Sequence, residues 1–589
     1  MPEAVREFSS VAYDPSDTTT GSPKSSRLAA RWLQICVAEH PTCTSYCGSD
    51  PPPLPTRVID IGAKGSTEGR LFISRGRYAL YVALSHCWGS SPIFTLTSKN
   101  ITELQTKVRF SDLPLTFQHA IEITRDLGVR YIWIDSLCII QDSAEDWDIE
   151  SSRMRNVYRN SICTIAAAKA KDGSGGCFSA RDPCVSRPVQ LSLQWPYGES
   201  QGDYSPKETF WSKHDWTQPT GPLYTRAWVF QEQSLSGRML SFCEGILYWN
   251  CSSLQASDYQ PAGEEHSAAN AFGRFRALVA HHEEQRVAKG LGASAGASSA
   301  SKLRLYDAWS HMATEYSKRA LTFETDRLPA LSALAEQMAD LLDDEYLAGL
   351  WKGDIVRGLL WCCTGKSGTR SKAPEKYVAP SWSWASVRGA VIAADFARGF
   401  RRGLVVNDYV FPDQFRSVGP LGDMTQNRWD ELVDMYNPSL PLEPEAHYDE
   451  SDDFSLISAN CVRDGHNSFG RVKNGQLRVT GWIKLAKTAS RREEDGQDGH
   501  PEGGMDLLDP ESGAVFGGLN YDEDQGRPYG CTIWCLFLMW RVGREGEGGT
   551  GLALLPTGLE EDEFRRIGLA GINERDWTRG RKKMTITIV

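Results

Sequence analysis

An α/β protein is what this sequence predicts: a parallel-sheet domain, then a mixed α/β region whose C-terminal part is rich in strands. Three observations predict it. Between residues 78 and 168, short apolar runs alternate with amphipathic stretches of helical period. The spacings within that alternation are short, which calls for parallel strands joined by right-handed crossovers. Beyond Gly173 the texture changes, Gly, Pro and Trp rise, and strand-type runs return towards the end of the chain.

Residues 1–26 are polar and rich in Ser, Thr and Pro, so they are expected to be disordered. A short helix is expected over 27–39, followed by the breaker Pro51-Pro52-Pro53. Tyr81-Val82-Ala83-Leu84-Ser85 is an apolar run bounded by turn residues, hence a buried strand. Residues 116–126 carry Phe117, Ala120, Ile121 and Thr124 at helical spacing, and Gly128 is placed to end that helix. Tyr131-Ile132-Trp133-Ile134 is a second strand. Residues 145–159 form a second amphipathic helix, with Trp147, Met154, Val157 and Tyr158 on its apolar side, and residues 162–168 a third strand.

Further on, residues 290–301 read as a low-complexity linker, and 306–319 and 328–342 as helices. Pro380-Ser381-Trp382-Ser383-Trp384 alternates at period two, the spacing of a strand with both tryptophans on one face. The acidic, Gly-rich stretch 491–530 reads as loop. Strands are expected at 477–482, 532–541 and 585–589. The divisions expected are a disordered 1–26, a domain with its lead-in at 27–260, a helical segment and linker at 261–302, and the mixed region 303–589.

A chain of 589 residues exceeds one ordinary core. Its 41% hydrophobic and 24% charged residues are the balance of a soluble protein. The formal net charge of −11 argues against general affinity for nucleic acid or anionic lipid. The longest apolar stretch, 533–540, falls short of a membrane span. No apolar segment follows a basic start, so no secretory signal is expected. The 15 cysteines lack framework spacing, which fits a reducing, cytoplasmic compartment.

In parallel sheets, chemistry collects beyond the carboxyl ends of the strands. Two polar clusters emerge there, Ser85-His86-Cys87-Trp88-Gly89 and Asp135-Ser136-Leu137-Cys138. Ser85, His86, Trp88, Asp135 and Cys138 are therefore the candidate cofactor-binding residues. Asp135 either binds a ligand or caps the next turn through its side chain. His86 with Cys87 or Cys138 is the minimum for a thiolate–imidazole nucleophile, although cysteines among apolar neighbours are usually core. No Gly loop of phosphate-cradling type opens a helix. Cys36, His40, Cys43 and Cys47 are zinc-ligand types at close spacing, and the first two share a helix face. The set lacks the paired two-residue cysteine spacing of a strong zinc signature, so the sequence assigns no metal. Trp228, Trp382 and Trp384 read as core.

The run Tyr81-Val82-Ala83-Leu84-Ser85-His86-Cys87-Trp88-Gly89 resembles the opening signature of the fungal heterokaryon-incompatibility (HET) domain. So do Asp112-Leu113-Pro114-Leu115-Thr116-Phe117, and Tyr131-Ile132-Trp133-Ile134-Asp135-Ser136-Leu137-Cys138. Asp146-Trp147, Glu150, Met154 and Tyr158-Arg159-Asn160 follow at the family's spacing, and Thr225-Arg226-Ala227-Trp228-Val229-Phe230-Gln231-Glu232 looks like its closing block. Thr325-Asp326-Arg327-Leu328-Pro329 and Ala379-Pro380-Ser381-Trp382 resemble segments of longer members. The resemblance implies a role in fungal non-self recognition and programmed cell death, through protein partners or self-assembly. It also implies a distant likeness to Toll/interleukin-receptor (TIR) domains. Some of those are scaffolds, and others hydrolyse NAD with a glutamate on the helix after a central strand. Glu150 is the matching position, which makes it the candidate catalytic residue and NAD the candidate cofactor. The bland reading of Glu150 is a glutamate favoured by the helix dipole, or paired with Arg153. Three functions stay open: a signalling module, an NAD glycohydrolase using Glu150, and an inactive interaction protein.

Overall fold

The computed structural model describes residues 17–48, 50–89, 93–181, 189–193, 208–212, 219–265, 271–288, 299–363, 374–392, 454–465, 467–490, 505–522, 530–543, 546–573 and 577–589. The chain forms two compact units, Met1–Ala280 and His281–Val589. Of the expected disordered segment, 1–16 lies outside the described residues, as does most of the 290–301 linker.

The first unit opens with helix α1, Pro23–Glu39, and α2, Pro41–Cys47. Helix α1 starts earlier than the apolar pattern indicates, within the stretch expected to be disordered. The Ser22 side chain caps it by accepting from the Ser25 amide, and Pro23 is preset for a first turn. Strands β1 (Arg57–Asp60), β2 (Glu68–Ile73) and β3 (Tyr81–Ser85) precede α3 (Ile101–Thr106), β4 (Val108–Arg109) and α4 (Leu115–Asp126). Gly128, at φ +76°, donates to the Arg125 carbonyl and ends α4 as the sequence predicts. Then come β5 (Tyr131–Ile134), a single turn α5 (Asp135–Cys138), α6 (Ala144–Asn160) and β6 (Cys163–Ala166). A hairpin of β7 (Val189–Leu193) and β8 (Glu208–Ser212) follows, then α7 (Ala227–Leu235). The unit closes with β9 (Arg238–Phe242), β10 (Leu247–Cys251), β11 (Leu254–Ser257) and β12 (Gln260–Glu265), and α8 (Ala271–Ala288) begins within it.

Its main sheet has the order β12-β11-β10-β9-β6-β3-β5-β1-β2-β4. The three predicted strands are neighbours and parallel: β3 pairs with β5 (Leu84 with Ile134) and with β6 (Ser85 with Ala166). β9 extends the parallel block, and antiparallel strands flank it, β1 beside β5 and β10 beside β9. Every residue of β3, β5 and β6 is buried, as expected of strands covered on both faces. On α6, Met154, Val157 and Tyr158 are buried, but Trp147 is 38% exposed and meets Trp228 edge-on at 6.4 Å. The apolar side of α6 is thus shorter than its sequence indicates.

The second unit has helices α9 (Ser299–Ser317) and α10 (Ser332–Leu342). Eight strands follow: β13 (Phe454–Arg463), β14 (Val472–Ser490), β15 (Met505–Leu508), β16 (Val515–Tyr521), β17 (Thr532–Gly543), β18 (Gly546–Pro556), β19 (Glu563–Asn573) and β20 (Lys582–Ile588). The pairings run β14-β15-β16-β19-β18-β17 and return to β14, so the sheet closes into a barrel. Two expectations fail here. The stretch read as loop at 491–530 holds β15 and β16, although 491–504 and 523–529 lie outside the described residues. Pro380 to Trp384 is a turn leading into a 3-10 turn rather than a strand, because the Ser383 hydroxyl accepts from the Ala385 amide. Trp382 and Trp384 are nonetheless buried, as predicted.

Candidate functional site at the carboxyl ends of the parallel strands

In space the parallel strands run β5-β3-β6-β9, whereas the chain visits β3, β5, β6 and β9 in turn. After β3 the chain moves to one side, and after β6 it moves to the other. The carboxyl ends of β3 and β6 therefore border a topological switch point, where open α/β sheets hold their ligands.

Ser85 ends β3, and the loop after it carries His86, Cys87 and Trp88. The Trp88 indole N–H donates to Asp135 Oδ2 at 2.8 Å, and the Ser136 amide donates to Asp135 Oδ1 at 2.7 Å. Of the two roles the sequence left open, Asp135 fills the local one, steadying the turn after β5, and it also bonds to the β3 loop. His86 is buried, with its ring edge-on to Phe117 at 5.0 Å. Its Nδ1 lies 3.6 Å from Asp135 Oδ1, too far for a hydrogen bond, and neither ring nitrogen has a partner. Burial holds the imidazole below its usual pKa despite Asp135, which favours the neutral ring. The His86 carbonyl accepts from Arg226 Nη1 at 2.7 Å.

Helix α7 brings a residue that the sequence reading did not single out. Glu232 is buried, and burial pushes its carboxyl up to about 7; Asp135 adds to the rise, while Ser85, Arg226 and Tyr158 oppose it. Its carboxyl sits beside the Ser85 and Tyr158 hydroxyls, while the Ser136 hydroxyl has no hydrogen-bond partner. Glu232 and Arg226 both lie in the Thr225–Glu232 block that the resemblance had marked, and that block was the available signal.

Glu150 lies elsewhere in the contact network. It is 3% exposed; its Oε1 accepts from the Thr56 hydroxyl at 2.8 Å and Arg153 Nη1 at 3.1 Å, and lies 3.9 Å from Arg57 Nη2. Arg57 in turn pairs with Asp146 at 2.5 Å and donates to the Cys138 carbonyl. Among the described residues, no hydrogen bond or ion pair joins Glu150 to His86, Trp88 or Asp135. The predicted pairing with Arg153 is present.

The cysteines beside His86 are core thiols. Cys138 is fully buried and burial pushes it up to about 12; Cys87 packs with Ala166, Leu223, Val229 and Met239. Neither forms a thiolate–imidazole pair with His86. At the other end of the unit, Cys36, His40 and Cys43 do come together. Cys47 does not join them; its sulfur packs so closely on Gly237 that a Cβ there would meet it at 2.2 Å.

No helix among the described residues is long and apolar enough to cross a membrane. Residues 81–232 match the protein family described as Heterokaryon incompatibility protein (HET). Comparison with curated proteins and with solved structures finds no match.

Proposed function

We propose, for a chain that carries a HET domain over residues 81–232 and is thereby a heterokaryon-incompatibility-type protein, that it acts in fungal non-self recognition. In this reading it starts programmed cell death as a cytoplasmic signalling module, working through protein partners or self-assembly. The polar cluster of Ser85, His86, Trp88, Asp135 and Glu232 is its ligand-responsive point. One observation carries this: neither ring nitrogen of the buried His86 has a hydrogen-bond partner within the chain. Buried polar groups are ordinarily satisfied, and each one left open costs about 1–3 kcal/mol. A bound group offering both a donor and an acceptor repays that cost. It would also touch the β3 loop, the start of α5 and helix α7 at once, so its binding biases their arrangement.

NAD hydrolysis at Glu150 is the second reading, and the surroundings of that carboxylate weigh against it. Glu150 already accepts from Thr56 and Arg153 beside Arg57. A carboxylate whose charge is balanced by its own chain stabilises a developing cation poorly.

Induced expression of the full chain in a fungal host, with growth and cellular NAD followed together, tests both. Arrest is expected with NAD unchanged; His86→Ala and Glu232→Ala abolish it, and Glu150→Gln keeps it. A fall in NAD that disappears with Glu150→Gln establishes the hydrolase instead. Absence of arrest from a well-folded chain counts against the cell-death role.

A further inference from the structure

We propose that Cys36, His40, Cys43 and Cys251 form a structural zinc site that fastens the N-terminal helices to the edge of the main sheet. The ligand atoms of these four side chains all lie within 4.8 Å of one another. Cys251 Sγ is 3.4 Å from His40 Nδ1, and Cys43 Sγ is 4.0 Å from it. Zinc with bonds of about 2.3 Å to sulfur and 2.0–2.1 Å to nitrogen sets its tetrahedral ligands roughly 3.5–3.8 Å apart. The two separations from His40 lie within a few tenths of an ångström of that range, and no two of the four atoms are farther apart than 4.8 Å.

Local structure explains how the set is assembled. Trp32 of α1 stacks on Trp249 of β10 at 6.3 Å. One helical turn after Trp32 comes Cys36, and two strand residues after Trp249 comes Cys251. The helical and strand periods carry both sulfurs along the face that the tryptophans share. Cys36 and His40 are four residues apart, His40 is the C-cap of α1, and Cys43 lies in the first turn of α2. The short break between the helices turns Cys43 back towards the first two ligands.

The environment suits a closed site. The three cysteines are fully buried, His40 is half-buried, and none of the described cysteines is in a disulfide. Three thiolates around a divalent ion leave one negative charge. The buried Arg238 supplies the opposite one, its Nε donating to Cys36 Sγ at 3.1 Å. The Ser253 hydroxyl lies 3.5 Å from Cys43 Sγ. Arg276 donates to Asn250 Oδ1 at 2.8 Å and to the Ser236 carbonyl at 2.6 Å, holding the strand that presents Cys251. Such outer partners orient ligands and tune a metal site. With four protein ligands no position remains for water, so the site is structural rather than catalytic. A thiolate-rich tetrahedral set selects zinc over oxygen-seeking cations. All four residues fall outside the matched span 81–232, so the ion joins the segments before and after that span.

The test is metal analysis of the full chain purified under reducing conditions. About one zinc per chain is expected, released by a thiol-specific mercurial and accompanied by a fall in Tm when a chelator removes it. Replacement by cobalt(II) should give the visible absorption of a tetrahedral, thiolate-bound ion. Cys251→Ser should lose most of the zinc, while Cys47→Ser keeps it in full. Should Cys251→Ser fail to fold, the cobalt spectrum of the unaltered chain still decides. Wild-type protein with no zinc and no cobalt spectrum overturns the proposal. So does a disulfide within the set, an iron–sulfur spectrum, or zinc retained in Cys251→Ser.

Discussion

The Trp88 indole and the Asp135 carboxylate meet at 2.8 Å, and this bond ties the loop after β3 to the turn after β5. The two residues stand 47 positions apart in the chain and reach each other because β3 and β5 are parallel and end on one edge. Hydrogen bonds to a charged acceptor are typically worth about 1.5–3 kcal/mol. A double-mutant cycle of Trp88→Phe and Asp135→Ala should therefore show a coupling energy of about 1–2 kcal/mol in urea unfolding. A coupling near zero would mean that the loop is held by packing alone.

Glu150→Gln should lower stability by about 1–3 kcal/mol. The substitution takes one acceptor charge from the neighbourhood of the buried Arg57, which keeps Asp146. Equilibrium denaturation measures this. An unchanged midpoint would show that the carboxylate is not a structural anchor.

Glu232 gives stability a pH signature. Its folded carboxyl is raised to about 7, above the usual carboxylate range. Between the ordinary value and about 7 the folded state holds the proton more tightly than the unfolded chain. Stability is therefore greatest at low pH in this window and falls as pH rises through it, by up to about 3 kcal/mol. Glu232→Gln, which imitates the protonated form, should flatten that part of the profile and stabilise the protein at pH 8. Asp258 and Asp354, also raised by burial, contribute in the same direction, so the difference between the two profiles is the quantity to read. Parallel profiles would refute the assignment.

In the second unit, Arg566 of β19 donates to Asp522 at 2.9 Å, to the Leu359 carbonyl at 2.6 Å and to the Trp361 carbonyl at 2.5 Å. Its guanidinium also lies 3.6 Å from the Trp361 ring centroid. A lysine offers a point charge in place of this planar fork. Arg566→Lys should cost about 1–3 kcal/mol, because one ammonium cannot reach Asp522 and both carbonyls, and a buried acceptor is left unsatisfied. Thermal unfolding checks it, and a shift within error would contradict the anchoring role.

The sequence by itself determined the local parts of this protein. The apolar runs at 81–85, 131–134 and 162–168 and the period-3.6 patterns at 116–126 and 145–159 are properties of neighbouring residues, and so is the ending of α4 at Gly128. Short connections then made β3, β5 and β6 parallel, and this placed Ser85, His86 and Asp135 at one edge. The HET blocks were legible for the same reason, as runs of adjacent residues. Only the tertiary structure decided what depends on distant chain. It set β1 antiparallel beside β5 and closed β14 to β19 into a barrel. It enclosed Glu150 with Thr56 and Arg57, at the start of a strand that gave no clear signal. It brought Glu232 from α7 over the end of β3, where burial, with Asp135 nearby, raises its carboxyl. It also exchanged Cys47 for Cys251, a residue 211 positions from His40. Ligand identity follows from which side chains share a volume, and helix α1 packing on β10 through Trp32 and Trp249 fixed that volume.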